Sequence, residues 1–338
     1  MTDMRAVGIK GDAGPATALY MTTIPRPSPS PSQALVRIRA FGLNRMDLLQ
    51  REGHYPVPPQ APRTLGVEFS GTIVSLPPGA EKGFNVGDAV FGLAYGGAYA
   101  EYIAVSTHML IHKPEELSWE ETAGIPETWI TALQAMYLIG EFSEGKNVLW
   151  HAGASSVSIA GMQLSKAGGA GKVFATARGE GKCEWIEETL GADKAWNAEK
   201  EDWAGGVLEA TGGKGADIII DYIGGSYFAG NLKAAARDGR IVNLATLGGG
   251  KVTGDADIGN FVRKRLRFEG SSLRSRDEEY QGRLRDKLVE TALEKFKSGE
   301  FKSHIERVFD WEQIVEAHQL MESNKTKGKL ICTIKWEE

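Results

Sequence analysis

Cysteine is nearly absent from this sequence: Cys183 and Cys332 are the only two in 338 residues. Two thiols cannot build a disulfide framework or a four-thiolate zinc lobe. Basic residues are not in excess either. Lys and Arg total 39 against 44 Asp and Glu, a net charge of −5, and no long basic block occurs, which argues against nucleic acid as a main partner. No run of about 18 or more apolar residues is present, so no segment reads as a membrane span. Met1 to Lys10 lacks a basic stretch followed by an apolar run, so no signal peptide is readable. These absences together predict a protein of a reducing compartment, most simply the cytoplasm.

Glycine, by contrast, is plentiful. It supplies 42 of the 338 residues, about 12 % against ~7 % in typical chains. Neither a collagen-like period nor a Gly/Ser linker accounts for it, so it serves tight turns and close backbone approaches. Hydrophobic residues at 42 % and charged residues at 25 % are ordinary globular usage. The length is roughly two domains at about 150 residues each.

The first 125 or so residues read as strands broken by turns. In Leu35-Val36-Arg37-Ile38-Arg39, apolar and charged residues alternate with the period of a half-buried strand. Proline-rich Pro25 to Pro31 leads into it, and Gly66 to Ser75, Gly87 to Phe91 and Tyr99 to Val105 are further strand-like runs between Gly and Pro punctuation. After Pro126 the pattern changes. Val148-Leu149-Trp150, Lys172 to Ala175, Ala216 to Asp221, Arg240 to Leu244 and Leu266 to Phe268 are short apolar runs separated by helical stretches. Such alternation predicts right-handed βαβ units and a doubly wound parallel sheet, hence an α/β protein. Beyond Arg276, Leu288, Val289, Ala292, Leu293 and Phe296 form the stripe of a long helix. Lys329 to Ile334 alternates again and reads as a strand returning to the first domain.

The segment Gly153-Ala154-Ser155-Ser156-Val157-Ser158 follows a strand and opens a helix. A dinucleotide-binding fold places G-x-G-x-x-G here, because the unsatisfied N–H groups and dipole of the helix start favour a pyrophosphate. Only the first glycine is present, with serines at 155 and 158, and an ordinary strand–turn–helix junction would look the same. At the end of the next strand, Arg178 with nearby Lys182 suits the 2′-phosphate of NADPH where an acidic residue would suit NADH. Two solvated cations at a helix start are the plainer alternative. Tyr55, beside the prolines at 56 to 59, is either a proton donor or an aromatic that packs its loop. The six histidines are scattered. In Leu65-Gly66-Val67-Glu68, where zinc alcohol dehydrogenases carry Gly-His-Glu, an apolar Val67 takes the histidine's place and cannot ligate, so no metal is expected.

Longer strings carry a family resemblance. They are Leu43-Asn44-Arg45-Met46-Asp47-Leu48, Gln50 to Tyr55, Ile125-Pro126-Glu127-Thr128-Trp129, His151-Ala152-Gly153, Asp221 to Tyr227, Leu273-Arg274-Ser275-Arg276-Asp277, and Ala317-His318 through Lys325 and Gly328-Lys329. The chain resembles the zinc-free quinone oxidoreductase branch of the medium-chain dehydrogenase/reductase superfamily over nearly its whole length. That resemblance implies a GroES-like catalytic domain interrupted by a Rossmann domain. The boundaries expected are 1–126 for the first part of the catalytic domain, 127–269 for the NADPH-binding domain, and 270–338 for the returning part.

By position, the resemblance implies NADPH in the cleft between the domains, with Asn44, Tyr55 and Thr131 bordering the nicotinamide. Gly153, Ser155, Ser156 and Val157 would hold the pyrophosphate. Ile223, Gly224, Gly225, Ala245, Thr246, Leu247, Ser271, Ser272 and Leu273 would line the remaining cofactor wall, and Asn324, Lys325 and Lys329 would close over it. Tyr55, Asn44 and Thr131 are the catalytic candidates, Tyr55 and Asn44 as hydrogen-bond donors to the acceptor oxygen. Relatives carry glycine at the places of Ser156 and Ser158, so a stiffer turn is expected. The activity implied is NADPH-dependent reduction of quinones or similar conjugated carbonyls, by one or two electrons. An enoyl or alkenal reductase, or a non-catalytic NADPH- or RNA-binding protein, is the alternative. A homodimer through the strand near Leu266 to Phe268 is also implied, against a lone edge guarded by Arg265 and Arg267.

Overall fold

The structure, a computed structural model, describes residues 2–80 and 82–336. The chain forms two compact units, one of residues 1–130 with 274–338 and the other of residues 131–273. The first unit is therefore discontinuous in sequence.

A seven-stranded sheet is the frame of the first unit. Gln33–Gly42 lies at its centre and pairs antiparallel with Glu68–Ser75, Tyr102–Ser106 and Lys329–Thr333. The last of these pairings confirms that the C-terminal strand returns to the N-terminal part, with Ile331 opposite Gly42. Burial of the alternate residues Val36 and Ile38 follows from the period read in the sequence. Gly42 is required for a local reason: a Cβ there would meet Glu68 Oε1 at 2.4 Å and Lys329 Cε at 2.8 Å. Its missing side chain leaves room for a buried ion pair.

The helix expected after Arg276 is one apolar stripe but not one regular helix. Glu278–Leu288 continues as a π-helical turn over Val289–Leu293 and then as Glu294–Lys297. The extra residue of the π turn shifts the stripe, so Leu288, Ala292 and Phe296 are buried while Val289 and Leu293 are only partly so. Phe296 packs against Trp129 with ring centroids 4.5 Å apart.

The second unit is built on a six-stranded sheet in the order Lys194–Asn197, Lys172–Ala177, Asn147–Trp150, Ala216–Asp221, Ala235–Asn243, Arg267–Gly270. All its pairings are parallel. The chain starts at the centre with Asn147–Trp150, winds to one edge and then to the other. This is the doubly wound α/β arrangement that the alternation of short apolar runs and helices implies, and its strand order reverses beside Asn147–Trp150. Leu149, Phe174, Trp196, Ile219 and Ile241 belong to a core on one face of it. Among the described residues, no helix is long and apolar enough to cross a membrane.

Candidate functional site

In the first unit, a polar cluster is buried where the central strand gives way to the helix Arg45–Arg51. Asn44 caps that helix reciprocally with Asp47, its N–H donating to Asp47 Oδ2 at 2.8 Å. The Asn44 side chain is held from both ends. Its Nδ2 donates to Glu68 Oε1 at 2.8 Å, and its Oδ1 accepts from Lys329 Nζ at 2.7 Å. A lysine only donates and a carboxylate only accepts, so the amide has one possible orientation, with a second Nδ2 hydrogen left over. Lys329 also pairs with Glu68, and both side chains are essentially inaccessible. Glu68 Oε2 accepts the backbone N–H of Glu127 at 2.9 Å.

A second chain of bonds supports Asp47. Burial pushes the His318 ring down to about 3, and the neighbouring Arg51 charge adds to that, so the ring is neutral. Arg51 Nη1 lies 3.1 Å from His318 Nδ1 and can only donate, which leaves the ring proton on Nε2. That nitrogen faces Tyr99 Oη at 3.2 Å, and Tyr99 donates to Asp47 Oδ2 at 3.2 Å. Asp47 Oδ1 is buried without a partner. Burial raises the Asp47 carboxyl to about 6, against the opposing effects of the Asn44 bond, Arg274 and Lys329.

Tyr55 sits at the edge of this cluster with the Arg274 guanidinium 5.3 Å from its ring centroid. Arg274 is fixed by bonds to Tyr95 O and Gln50 Oε1, both 2.7 Å, and its Nη2 is buried without a hydrogen-bond partner. Burial first, and then the charge of Glu127, raise the Tyr55 hydroxyl above its ordinary value, while Arg274 opposes them. Glu127 is itself raised to about 8, chiefly by burial and then by the Glu68 charge. Asn324 accepts from Arg45 Nη2 at 2.7 Å, and it and Lys325 are exposed just beyond the helix Ile314–Glu322.

In the second unit, most of the remaining candidates gather at the carboxyl ends of neighbouring parallel strands. Gly153 to Val157 follow Asn147–Trp150, and Arg178 follows Lys172–Ala177. Ile223 to Gly225 follow Ala216–Asp221, Ala245 to Leu247 follow Ala235–Asn243, and Ser271 to Leu273 follow Arg267–Gly270. This is the edge where open α/β sheets take their ligands. Backbone bonds tie the loops together: Leu247 N–H donates to Tyr222 O at 3.0 Å and Ser271 N–H to Asn243 O at 2.9 Å. Asp221 holds its own loop by accepting from Ile223 N–H at 2.6 Å and Gly224 N–H at 3.1 Å.

Gly153 has no room for a side chain, since a Cβ would come within 2.7 Å of the Ala175 Cβ and 2.8 Å of Ile186 Cδ1. Ser158, at the third glycine place of a G-x-G-x-x-G turn, fits by turning inward. Its hydroxyl donates to His151 O at 2.7 Å and accepts from Tyr222, which in turn accepts from Ser155 Oγ at 3.3 Å. Ser156 opens the helix Ser156–Ala167, whose first-turn N–H groups have no side-chain cap. Thr131 Oγ1 and Ser271 Oγ are buried without partners, orphaned groups of the kind a bound polar ligand satisfies. Arg178 is exposed, and Lys182 begins the helix Lys182–Leu190. The residues present therefore fit a nicotinamide dinucleotide.

The sequence alone does not mark Glu68, Glu127, Arg274 or Gln50 as site residues. Glu127, Arg274 and Gln50 fall within the family-like strings and Glu68 closes the Leu65-Gly66-Val67-Glu68 turn, but none carries a signal of its own. Among the described residues, no group of three or more His, Cys, Asp or Glu side chains is placed to hold a metal, and Val67 is fully buried.

Comparison with known proteins agrees with both units. Residues 30–115 match the alcohol dehydrogenase GroES-like domain and residues 156–290 the zinc-binding dehydrogenase family. The chain is 27 % identical to a quinone oxidoreductase of Homo sapiens over 334 residues, covering 98 % of each. It superposes on the crystal structure of an NAD-dependent alcohol dehydrogenase with a TM-score of 0.85 and 32 % identity, covering 98 % of this chain and 100 % of that one. A quinone oxidoreductase from Coxiella burnetii gives 0.80 and 28 %, covering 99 % and 100 %.

Proposed function

Because the chain belongs to the medium-chain dehydrogenase/reductase superfamily, we propose that it reduces quinones, or similarly polarised conjugated carbonyls, with NADPH and without zinc. The observation that carries this reading is the end-to-end match to quinone oxidoreductases, 98 % of both chains in the human case. Members of this superfamily bind nicotinamide dinucleotides, which supply the hydride. Everything else falls to the protein's own residues.

The carboxyl-end loops of the second unit bind the dinucleotide. Gly153 to Val157 take the pyrophosphate at the helix start, and Arg178 with Lys182 takes the 2′-phosphate. Ile223 to Gly225, Ala245 to Leu247 and Ser271 to Leu273 form the wall, and Thr131 offers its unpartnered hydroxyl to the nicotinamide end. Asn324 and Lys325, exposed beyond the helix Ile314–Glu322, remain candidates to contact the cofactor, whereas Lys329 is buried and closed on Asn44 and Glu68 and supports the site from within.

In the first unit, Tyr55 and Asn44 hydrogen-bond to the oxygen on which negative charge develops. Donors fixed before the reaction stabilise that charge without reorganising. The Glu68–Lys329 pair provides the fixing for Asn44, and its remaining Nδ2 hydrogen is the donor. Val67 in the place of a histidine supports a site that works by hydrogen bonds rather than a metal.

The exposed edge strand Arg267–Gly270, with exposed Phe268 and Val262 nearby, supports pairing of two copies of the chain. A steady-state screen of ortho- and para-quinones, enones and enoyl thioesters, each with NADPH and NADH, tests the reaction. Quinone turnover with NADPH is expected. Turnover confined to enoyl or alkenal substrates would replace the reading with its nearest alternative, and NADPH binding without any turnover would leave a binding protein.

A further inference from the structure

Reducing a carbonyl takes a proton as well as a hydride, and the first unit contains a better proton source than Tyr55. Three donors converge on Glu68: Lys329 Nζ and Asn44 Nδ2 at Oε1, and the backbone N–H of Glu127 at Oε2. The last bond anchors the Glu127 main chain beside Glu68, and the Glu68 charge acts on the Glu127 carboxyl in a region where burial also disfavours its charge. The lysine between them is already closed on Glu68 and Asn44 Oδ1. Among the described residues no hydrogen-bond donor reaches the Glu127 carboxyl, which is partly exposed. Two neighbouring carboxylates with one of them fully satisfied leave the proton on the other.

We propose that Glu127 is the acid of the reaction, delivering its carboxyl proton to the acceptor oxygen while Tyr55 and Asn44 only hydrogen-bond to it. This rests on the reductase reading above. In the step, the acceptor gains a hydride from the reduced nicotinamide, and a π-electron pair moves onto its oxygen. An O–H bond forms there as the Glu127 O–H bond breaks, and the carboxylate left behind is reprotonated from solvent.

The surrounding charges agree. Burial is the largest influence on Glu127, Glu68 and Asp47 add to it by disfavouring a second negative charge, and Lys329 and Arg274 oppose it. With the carboxyl raised to about 8, it is mostly protonated at pH 7, close to the balance of availability and acidity that suits a general acid. Tyr55 is moved the other way for this purpose, its hydroxyl made a weaker acid than a free phenol. The same neighbourhood that binds its proton more tightly supplies a carboxyl that can give one up.

Glu127→Gln keeps the side chain's size and the backbone bond to Glu68 but has no proton to titrate. In the wild-type protein without substrate, pH-difference infrared spectra are expected to show a protonated-carboxyl band lost near pH 8 and missing from Glu127→Gln. With an acceptor and NADPH, Glu127→Gln is expected to lose on the order of 10²-fold in kcat and the alkaline fall of the wild-type kcat profile, and Glu127→Asp to recover part of both. A wild-type band lost already near the ordinary glutamate range overturns the proposal. So does Glu127→Gln turnover at the wild-type rate. If the wild type reduces no acceptor, the reductase reading falls and the proposal with it, whereas wild-type turnover in Glu127→Gln removes the proposal alone.

Discussion

Lys329 Nζ lies 2.7 Å from Asn44 Oδ1, joining residues 285 positions apart. The same ammonium pairs with Glu68, so a single cation from the C-terminal strand sets both the orientation of an amide and the charge balance of a buried carboxylate.

Removing that cation is expected to be costly. Lys329→Met leaves Glu68 buried without its counter-ion, and a loss of about 3–5 kcal/mol is expected in urea or guanidinium unfolding. Glu68→Gln combined with Lys329→Met removes both charges and recovers most of it. A single substitution as mild as the double one would mean that the pair is not the support of Asn44.

Tyr55→Phe isolates the hydrogen bond to the acceptor. The ring and its contact with Arg274 stay, so kcat is expected to fall by about 10²-fold with little change in the Kd for NADPH. An equal or larger loss of cofactor affinity would make Tyr55 a wall residue.

Arg178 is exposed at a strand end, so replacing it disturbs little of the fold. Arg178→Ala is expected to weaken NADPH binding in calorimetric titration and leave NADH binding unchanged. An unaltered Kd for NADPH removes Arg178 from the 2′-phosphate site.

Two groups give opposite pH dependences. The His318 ring takes a proton only near 3 when folded, against 6.5 as its ordinary value. Between those values the unfolded chain binds more protons. The stability from the neutral ring is therefore complete above pH 6.5 and is lost as pH falls toward 3, at up to about 1.4 kcal/mol per pH unit. His318→Gln is expected to flatten the acid side of a plot of urea midpoint against pH. Glu127 behaves inversely, its folded value raised from 4.5 to about 8. Its contribution is complete below pH 4.5 and is lost as pH rises through 8, so Glu127→Gln is expected to flatten the alkaline side. Unchanged slopes in either variant would locate the titration elsewhere.

The edge Arg267–Gly270 predicts a dimer in sedimentation. Phe268→Asp, which places a charge on that exposed edge, is expected to give monomers. A wild-type monomer would leave the edge as one guarded by Arg265 and Arg267.

Local regularities made much of this protein legible from its sequence. Alternation at Val36 and Ile38, the short apolar runs at Asn147–Trp150 and Ala216–Asp221, and the returning strand at Lys329 all follow from how side chains must partition between core and solvent. Even the serine-rich turn after Trp150 reads as a helix start, because a strand followed by small residues and an apolar helix has few other outcomes. Tertiary structure decided what each polar residue does. Glu68, Glu127 and Arg274 are common residue types with no periodic signature, and their roles come from which distant charges are folded beside them. Ser158 reads as a lost glycine until His151 O and Tyr222 are seen to receive it. Lys329 reads as part of a segment closing over the cofactor until Asn44 and Glu68 are found at its tip. Periodicity encodes burial along the chain, whereas hydrogen bonding and charge depend on through-space distance, which only the folded chain fixes.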